Sequence, residues 1–171
     1  KKLSKKVGID WGFAGQTAIC HTVCVPWRGQ KTIVVYAWEF LTPKGSELTF
    51  TDIRKSIVAE MRGYGDQCYR EILCDSANPS DNADLRRMLD DDGVPVEDVV
   101  FSKWKMYGIG EIRRRIEQFG ILFPKSIGGV PVPGYDEAMG YLKQYRTDEK
   151  GNILKVNDHG PDALLCAVFG W

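Results

Sequence analysis

The order of apolar runs along the chain limits its fold more than any other feature. Three runs rich in β-branched and aromatic residues come first, over residues 5–10, 16–27 and 31–41. Arg28-Gly29-Gln30 separates the second run from the third, and a short glycine-containing link between two such runs predicts a β-hairpin. We therefore expect the chain to begin with three strands in antiparallel succession.

The rest of the chain alternates between helical and strand-like patterns. Apolar residues spaced at three and four positions indicate helical faces, and short apolar runs indicate strands. Helices are predicted over residues 49–62, 80–90, 109–119 and 158–170. Strands are predicted over residues 70–75, 98–101 and 120–123, with an exposed loop over 124–134 and a hairpin-like stretch over 142–156.

These elements predict an α/β fold. Three antiparallel strands followed by alternating helices and strands give a mixed sheet with helices on its faces. The 171 residues are 43% hydrophobic, which is enough for a core, so residues 1–171 are expected to form a single domain. No apolar stretch of about 18 residues is present, so no membrane partner is expected.

Three aspartates stand at the ends of predicted elements. Asp10 ends the first strand, Asp75 ends the fourth, and Asp162 opens the apolar part of the last helix. If the first and fourth strands are neighbours at the centre of the sheet, Asp10 and Asp75 meet at one end, and the last helix can bring Asp162 there. Carboxylates on rigid elements suit a pair of hard divalent cations, and such pairs cleave phosphodiesters. The pattern therefore favours a metal-dependent nuclease.

Each of these acids also has a purely structural interpretation. Asp10 precedes Trp11-Gly12 and fits turn chemistry, and Asp75 fits a turn or a helix cap. Asp158 is well placed as the N-cap of the last helix, with Asp162 one turn later, and complementing the helix dipole alone can explain either acid. His159, next to it, fits a metal ligand, a phosphate contact or a surface residue.

Four motifs occur in a fixed order along nearly the whole chain. They are Gly8-Ile9-Asp10-Trp11-Gly12, then Cys74-Asp75-Ser76-Ala77-Asn78-Pro79, then Lys103, then Asp158-His159-Gly160-Pro161-Asp162-Ala163-Leu164. This order resembles the nuclease domain of the large terminase subunit of tailed bacteriophages, and the last motif is the most specific. The resemblance implies a ribonuclease H-like fold, shared with Holliday-junction resolvases and retroviral integrases. It also implies endonucleolytic cutting of double-stranded, concatemeric viral DNA during genome packaging in the host cytoplasm.

The resemblance also assigns roles to residues. Asp10, Asp75 and Asp162 are implied to be the catalytic and metal-binding carboxylates, with His159 and Asp158 as auxiliaries. Two Mg²⁺ or Mn²⁺ ions about 3.5–4 Å apart would share one carboxylate, which we expect to be Asp10. By the same resemblance the partners are DNA, the terminase ATPase domain, the small terminase subunit and the portal. The phosphate-binding motif of ATPases, Gly-x-x-x-x-Gly-Lys-Ser/Thr, does not occur in the sequence. We therefore expect this chain to correspond to the nuclease domain alone and to have no ATPase activity.

Charge and cysteine content indicate how strongly the chain binds DNA and in which redox compartment it works. The 23 Lys and Arg residues balance the 23 Asp and Glu residues, so intrinsic DNA binding is expected to be weak unless the charge is unevenly spread. The basic side chains predicted to contact DNA are Lys103, Lys105 and Arg113, with Lys103 on a phosphate near the metals; the alternative is a solvated surface. No major-groove reading element is evident, so little sequence preference is expected. Five scattered cysteines indicate a reducing compartment.

Two other functions remain open on the sequence alone. One is another nuclease of the same fold, such as a junction resolvase or a ribonuclease H, which would prefer branched DNA or hybrid duplexes. The other is a DNA-binding packaging module without catalysis, in which the acids are caps and metal has no effect. An actin-like ATPase domain, which also starts with a Gly-Ile-Asp-x-Gly strand, is disfavoured because it needs a longer chain and a second phosphate loop.

Overall fold

A six-stranded mixed sheet forms the centre of the molecule. The computed structural model describes residues 3–12, 16–42, 49–64, 68–100, 105–146, 148–149, 153–154, 157–169 and 171. The strands are β1 (Leu3–Asp10), β2 (Thr17–Trp27), β3 (Gln30–Leu41), β4 (Cys68–Asp75), β5 (Val96–Val99) and β6 (Ile121–Leu122). Their order in the sheet is β5-β4-β1-β2-β3-β6. The strands β1, β2 and β3 pair antiparallel, whereas β4, β5 and β6 join parallel to their neighbours.

Five helices accompany the sheet. They are α1 (Phe50–Gly63), α2 (Pro79–Leu89), α3 (Lys105–Glu117), α4 (Tyr135–Gln144) and α5 (His159–Phe169). A short 3-10 turn at Asp90–Asp92 follows α2, and a small separate hairpin pairs β7 (Ser126–Ile127) with β8 (Val130–Pro131). The predicted α/β, ribonuclease H-like class is confirmed, because three antiparallel strands precede the alternating part. No helix in the described part of the chain is both long and apolar enough to cross a membrane.

The two faces of the sheet carry separate cores. On one face, Ile9 and Ile72 pack with residues of α1 and α2 such as Ile53 and Leu85. On the other face, side chains of β2 and β3 pack against α3, α4 and α5. Helix α5 is buried from Gly160 to Val168. A helix that is apolar on all sides belongs inside the molecule, which explains why α5 lies directly on the sheet.

Gly8 permits an unusually close approach of α5 to β1. A Cβ atom at this position would lie 2.0 Å from the carbonyl oxygen of Ala163 and 2.3 Å from the amide nitrogen of Ala167. Both are main-chain atoms that cannot move aside without moving the helix. The absence of a side chain at Gly8 therefore sets how α5 sits against the strand that carries Asp10.

Several predicted boundaries differ from the structure. The strand expected at 98–101 lies earlier, at Val96–Val99, and α3 begins at Lys105 and ends at Glu117 rather than spanning 109–119. Gly108 and Gly110 weaken the helical pattern in the first turns of α3, and this hides its true start. The loop expected at 124–134 contains the small β7–β8 hairpin.

The prediction missed α4. Its last turn, Leu142–Gln144, lies in the stretch predicted to be a hairpin, and the first part follows the Pro/Gly-rich loop. The chain does turn back after it, because the amide of Leu154 donates to the carbonyl of Arg146 at 3.0 Å. The turn expected at Lys150-Gly151 lies outside the described residues.

Candidate metal centre

The parallel pairing of β1 with β4 brings two of the predicted acids to the same edge of the sheet. Ile9 pairs with Cys74, so Asp10 and Asp75 are the next residues at the carboxyl ends of two adjacent strands. Helix α5 begins beside this edge, and the amide of Asp162 donates to the carbonyl of Asp158 at 2.9 Å in its first turn. Two strand ends and one helix start therefore converge on one site.

Asp10 is a buried carboxylate with a histidine partner. Its side chain is 9% exposed, and Nδ1 of His159 lies 2.6 Å from its Oδ2. The hydrogen bond to Asp10 raises the pKa of His159, against the opposing effect of burial. The protonated imidazole is thereby favoured, and its Nδ1–H donates to Asp10.

Asp75 is half-buried and lies close to Asp10. Burial is the main cause that raises the pKa of Asp75, and the charge of Asp10 raises it further. The amide of Ala77 donates to Oδ1 of Asp75 at 3.1 Å, which acts in the opposite direction. Two carboxylates held this close repel each other, so the edge favours a bound cation.

Asp162 is the most enclosed of the three aspartates, and both of its oxygens have partners. Burial raises its pKa to about 6 in spite of the Lys105 ammonium, which lowers it. The hydroxyl of Tyr145 donates to Oδ1 at 3.0 Å, and Nζ of Lys105 lies 2.5 Å from Oδ2. Burial, together with the Asp162 carboxylate, raises the pKa of Tyr145, so the phenol remains a donor.

Asn82 connects the strand ends behind the site. It is completely buried on α2, and its side-chain amide donates to the carbonyl oxygen of Asp75 at 2.9 Å and to Oδ1 of Asp98 at 2.7 Å. Its own Oδ1 accepts from the indole of Trp11 at 2.7 Å. Asn82 thus ties the residue after Asp10 to the main chain of Asp75.

The structure groups most, but not all, of the residues predicted for the site. Asp10, Asp75, Asp162 and His159 lie together, and the charge of Asp158 raises the pKa of Asp162. Lys105, predicted to contact DNA, forms an ion pair with Asp162. Arg113 is exposed on α3, about 12 Å along the helix from Lys105. Lys103 lies outside the described residues.

The sequence interpretation missed Tyr145 and Asn82. Tyr145 follows α4, whose existence the sequence did not reveal, so nothing indicated that it faces Asp162. Asn82 is one polar residue within an otherwise ordinary amphipathic helix. Its position one turn after Asn78-Pro79 is the single local sign that it lies near the strand end.

The donor set of this edge fits a hard divalent cation. It offers carboxylate oxygens, which Mg²⁺ and Mn²⁺ prefer, and two of the three acids are buried where an unpaired negative charge is costly. The ammonium of Lys105 already supplies positive charge at Asp162. Asp10, Asp75 and Asp162 are therefore suited to hold metal.

A second cluster, on the other face of the sheet, also contains possible ligands. In the described part of the chain, one group of three possible metal ligands has all of its ligand atoms within 4.8 Å of one another: His21, Glu39 and Glu60. Nε2 of His21 lies 2.8 Å from Glu39 and Nδ1 lies 3.2 Å from Glu60. His21 is three residues beyond Ala18, the partner of Asp10, so about 10 Å along β2 separates these two positions.

The His21 cluster forms an ion triad. Burial, the largest single influence, lowers the pKa of His21, but the hydrogen bonds and charges of Glu39 and Glu60 together outweigh it and raise the pKa to about 9. Each ring nitrogen faces a different carboxylate, so the imidazolium itself is the cation between them. The triad ties β2 and β3 to α1.

A cavity in the described part of the chain lies elsewhere. It has a volume of about 650 Å³ and lies between α3 and the last turn of α5, with Tyr107, Ile112, Val168 and Trp171 among its lining residues. None of the three aspartates contributes to its walls.

Comparison with solved structures finds the fold of bacteriophage large terminases. The large terminase of a thermophilic bacteriophage superposes with a TM-score of 0.70 at 16% identity, over 98% of this chain and 39% of that chain. The nuclease domain of the SPP1 large terminase, solved with bound Mn, gives a TM-score of 0.63 at 12% identity, over 98% of this chain and 86% of that chain. The large terminase nuclease of the thermophilic phage G20c, solved with bound zinc, gives a TM-score of 0.58 at 16% identity, over 99% of this chain and 82% of that one.

These matches concern three-dimensional structure. No family model and no curated protein matches the sequence. The chain spans about two fifths of the length of the first of these terminases. The predicted resemblance to terminase nuclease domains is confirmed at the level of the fold, with 12–16% identity in the superposed structures.

Proposed function

We propose that the chain is a divalent-metal-dependent endonuclease domain that cuts double-stranded viral DNA during bacteriophage genome packaging. The observation that carries the proposal is the convergence of Asp10, Asp75 and Asp162 on one sheet edge, with burial raising the pKa of the last two. The shared fold of the terminase nuclease domains supports the same conclusion.

The metal ligands in this proposal are the three aspartates, and the ions are two Mg²⁺ or Mn²⁺. Bound there, such ions lower the pKa of an attacking water and stabilise the leaving 3′ oxygen. The binding of Mn by the SPP1 domain and of zinc by the G20c domain supports a divalent-metal site in this fold.

The other residues of the site hold these carboxylates in place. His159 donates to Asp10 and Tyr145 donates to Asp162, so each acid keeps a fixed rotamer. Asp158 adds negative charge beside Asp162, which favours cation binding. DNA is proposed to lie over this edge, with Lys103, Lys105 and Arg113 as the basic contacts, of which Lys105 and Arg113 lie on α3.

Plasmid cleavage tests the activity directly. Purified wild type should nick or linearise plasmid with Mg²⁺ or Mn²⁺ and should be inactive with EDTA. Asp75→Asn should lose this cleavage, whereas Asp91→Asn, at an exposed acid of the 3-10 turn, should keep it. If wild type at high concentration does not cut in Mn²⁺, or if Asp75→Asn cuts as well as wild type, the proposal is wrong.

Thermal melting tests metal binding without DNA. The repulsion among Asp10, Asp75 and Asp162 lowers the stability of the metal-free protein, and a bound ion removes it. Mn²⁺ at 100 times its Kd should stabilise wild type by about 2.7 kcal/mol, seen as a higher Tm. Asp75→Asn should respond less. An unchanged Tm in both proteins at saturating Mn²⁺ would contradict the assignment of the site.

The proposed partners follow from the same family likeness. They are the terminase ATPase domain, the small terminase subunit and the portal, and the match to the longer large terminase supports the first of these because that chain extends well beyond this one. Weak DNA binding by the domain alone is expected, given equal numbers of acidic and basic residues. A partner that holds the DNA would then supply most of the affinity.

A further inference from the structure

We propose that the ammonium of Lys105 is a built-in counter-cation of Asp162, and that a metal ion must displace it before that carboxylate can act as a ligand. The inference rests on the proposed nuclease function. It predicts that the site fills in two unequal steps, the first at Asp10 and Asp75 and the second at Asp162.

The contacts of Asp162 leave it no oxygen without a partner. Tyr145 donates to Oδ1 at 3.0 Å, and Lys105 Nζ lies 2.5 Å from Oδ2. The Asp162 side chain is 9% exposed and that of Lys105 is 21% exposed. Water and salt therefore screen this ion pair less than a surface pair. The Lys105 ammonium competes with an incoming cation for Oδ2 of Asp162.

Asp10 and Asp75 differ in this respect. The cationic partner of Asp10 is the His159 imidazolium, which contacts Oδ2 and is 35% exposed, and Asp75 accepts from the amide of Ala77. The ion pairs of the described residues place the Lys105 ammonium on Asp162 and the His159 imidazolium on Asp10. A first ion can bind between them without displacing an ammonium group.

Lys105 is suited to leave and to remain nearby. It is the first residue of α3, and its ammonium is a compact charge on a flexible four-carbon stem. Its charge also reaches Asp75, where it lowers the pKa. Once the second ion is bound, the displaced ammonium stays at the edge of the site, where a DNA phosphate can accept from it. One side chain thus serves the metal-free and the DNA-bound forms in turn.

Calorimetric titration with Mn²⁺, in the absence of DNA, tests the displacement. Wild type should show one stronger and one weaker binding step. Lys105→Met keeps most of the length of the side chain and removes its charge. The weaker step should therefore tighten by about tenfold or more, since a hydrogen bond between charged groups is worth at least that much. Lys105→Arg keeps the cation and should resemble wild type. Lys31→Met is the matched control and should change neither step, because Lys31 is exposed at the start of β3, far from the site.

The outcomes separate this inference from the proposed function. If Mn²⁺ binds in two steps and Lys105→Met leaves both unchanged, the displacement is wrong while the nuclease proposal stands. If Mn²⁺ binds to none of the proteins, both fail. Should Lys105→Met not fold, the ¹⁵N signal of the Lys105 ammonium in wild type replaces it: the signal should shift as Mg²⁺ saturates the second step, and a signal that does not respond overturns the inference.

Discussion

Replacing Glu60 by glutamine should remove most of the dependence of stability on pH between pH 6.5 and 9. In the wild type, His21 has a pKa of about 9 in the folded protein against an ordinary value of 6.5. Because the pKa of His21 is higher in the folded than in the unfolded protein, protonated His21 stabilises the fold. This contribution is complete below pH 6.5 and is lost as the pH rises through 9. A difference of about 2.5 in pKa corresponds to about 3 kcal/mol of unfolding free energy.

The magnitude depends on two carboxylates acting against burial. His21 is 1% exposed, and burial alone would lower its pKa. Glu60→Gln keeps the shape of the side chain but removes one of the two charges, so Glu39 alone opposes burial. The pKa of His21 should then fall well below 9, and the loss of stability over this window should shrink to about 1 kcal/mol or less.

Urea unfolding at pH 6, 7.5 and 9 measures the effect. Glu117→Gln, at an exposed glutamate at the end of α3, is the matched control and should behave as wild type. His159 also has a raised pKa, but it titrates in every one of these proteins, so the difference between wild type and Glu60→Gln belongs to His21. The chain has two histidines, so NMR can assign each pKa separately. A wild-type unfolding free energy that stays constant from pH 6 to 9 would refute the reasoning.

Two further substitutions test how the carboxylate edge is assembled. Gly8→Ala should destabilise the protein by about 3 kcal/mol in the same urea assay and weaken Mn²⁺ binding, because its Cβ would meet main-chain atoms of α5. Gly140→Ala is the control: open space surrounds this position, so the substitution should stabilise the protein by about 0.5–1 kcal/mol. Asn82→Ala should lower the free energy of unfolding by about 2–4 kcal/mol, because it leaves the buried Trp11 indole without an acceptor. It should also lower the affinity for Mn²⁺, because the main chain of Asp75 loses its contact with Asn82. Unchanged affinity in a folded Asn82→Ala protein would contradict the positioning role.

The sheet could be predicted from the sequence because its signals are local. Residues 16–27 and 31–41 are rich in strand-forming residues, and Arg28 and Gly29 both adopt positive φ in the turn between them, as a tight hairpin requires. The adjacency of β1 and β4 was a condition of the predicted site, and the structure shows that the two strands do pair. That adjacency was enough to place Asp10 beside Asp75.

Helix α4 could not be predicted because its start depends on tertiary contacts. Gly134 precedes it with a φ of 67°, and a Cβ there would lie 2.5 Å from the carbonyl oxygen of Trp38. In the sequence, Gly134 looks like one more residue of a Pro/Gly-rich loop. The close approach to β3 that requires glycine is not visible without the fold.

The electrostatics of the molecule were equally hidden. Lys105 and Asp162 are separated by 57 positions, and their pairing depends on how α3 lies against the start of α5. His21 is one histidine in an apolar strand, and its charge results from Glu39 on β3 and Glu60 on α1. Such effects depend on three elements meeting at a point, which single-sequence patterns do not encode.

The contact at Gly8 has a consequence for how this site tolerates change. Since an added Cβ at position 8 would meet main-chain atoms of α5, only glycine fits between the strand that carries Asp10 and the helix that carries Asp162. A substitution at position 8 therefore acts on the spacing of the two acids directly, through the main chain, rather than through the packing of either core.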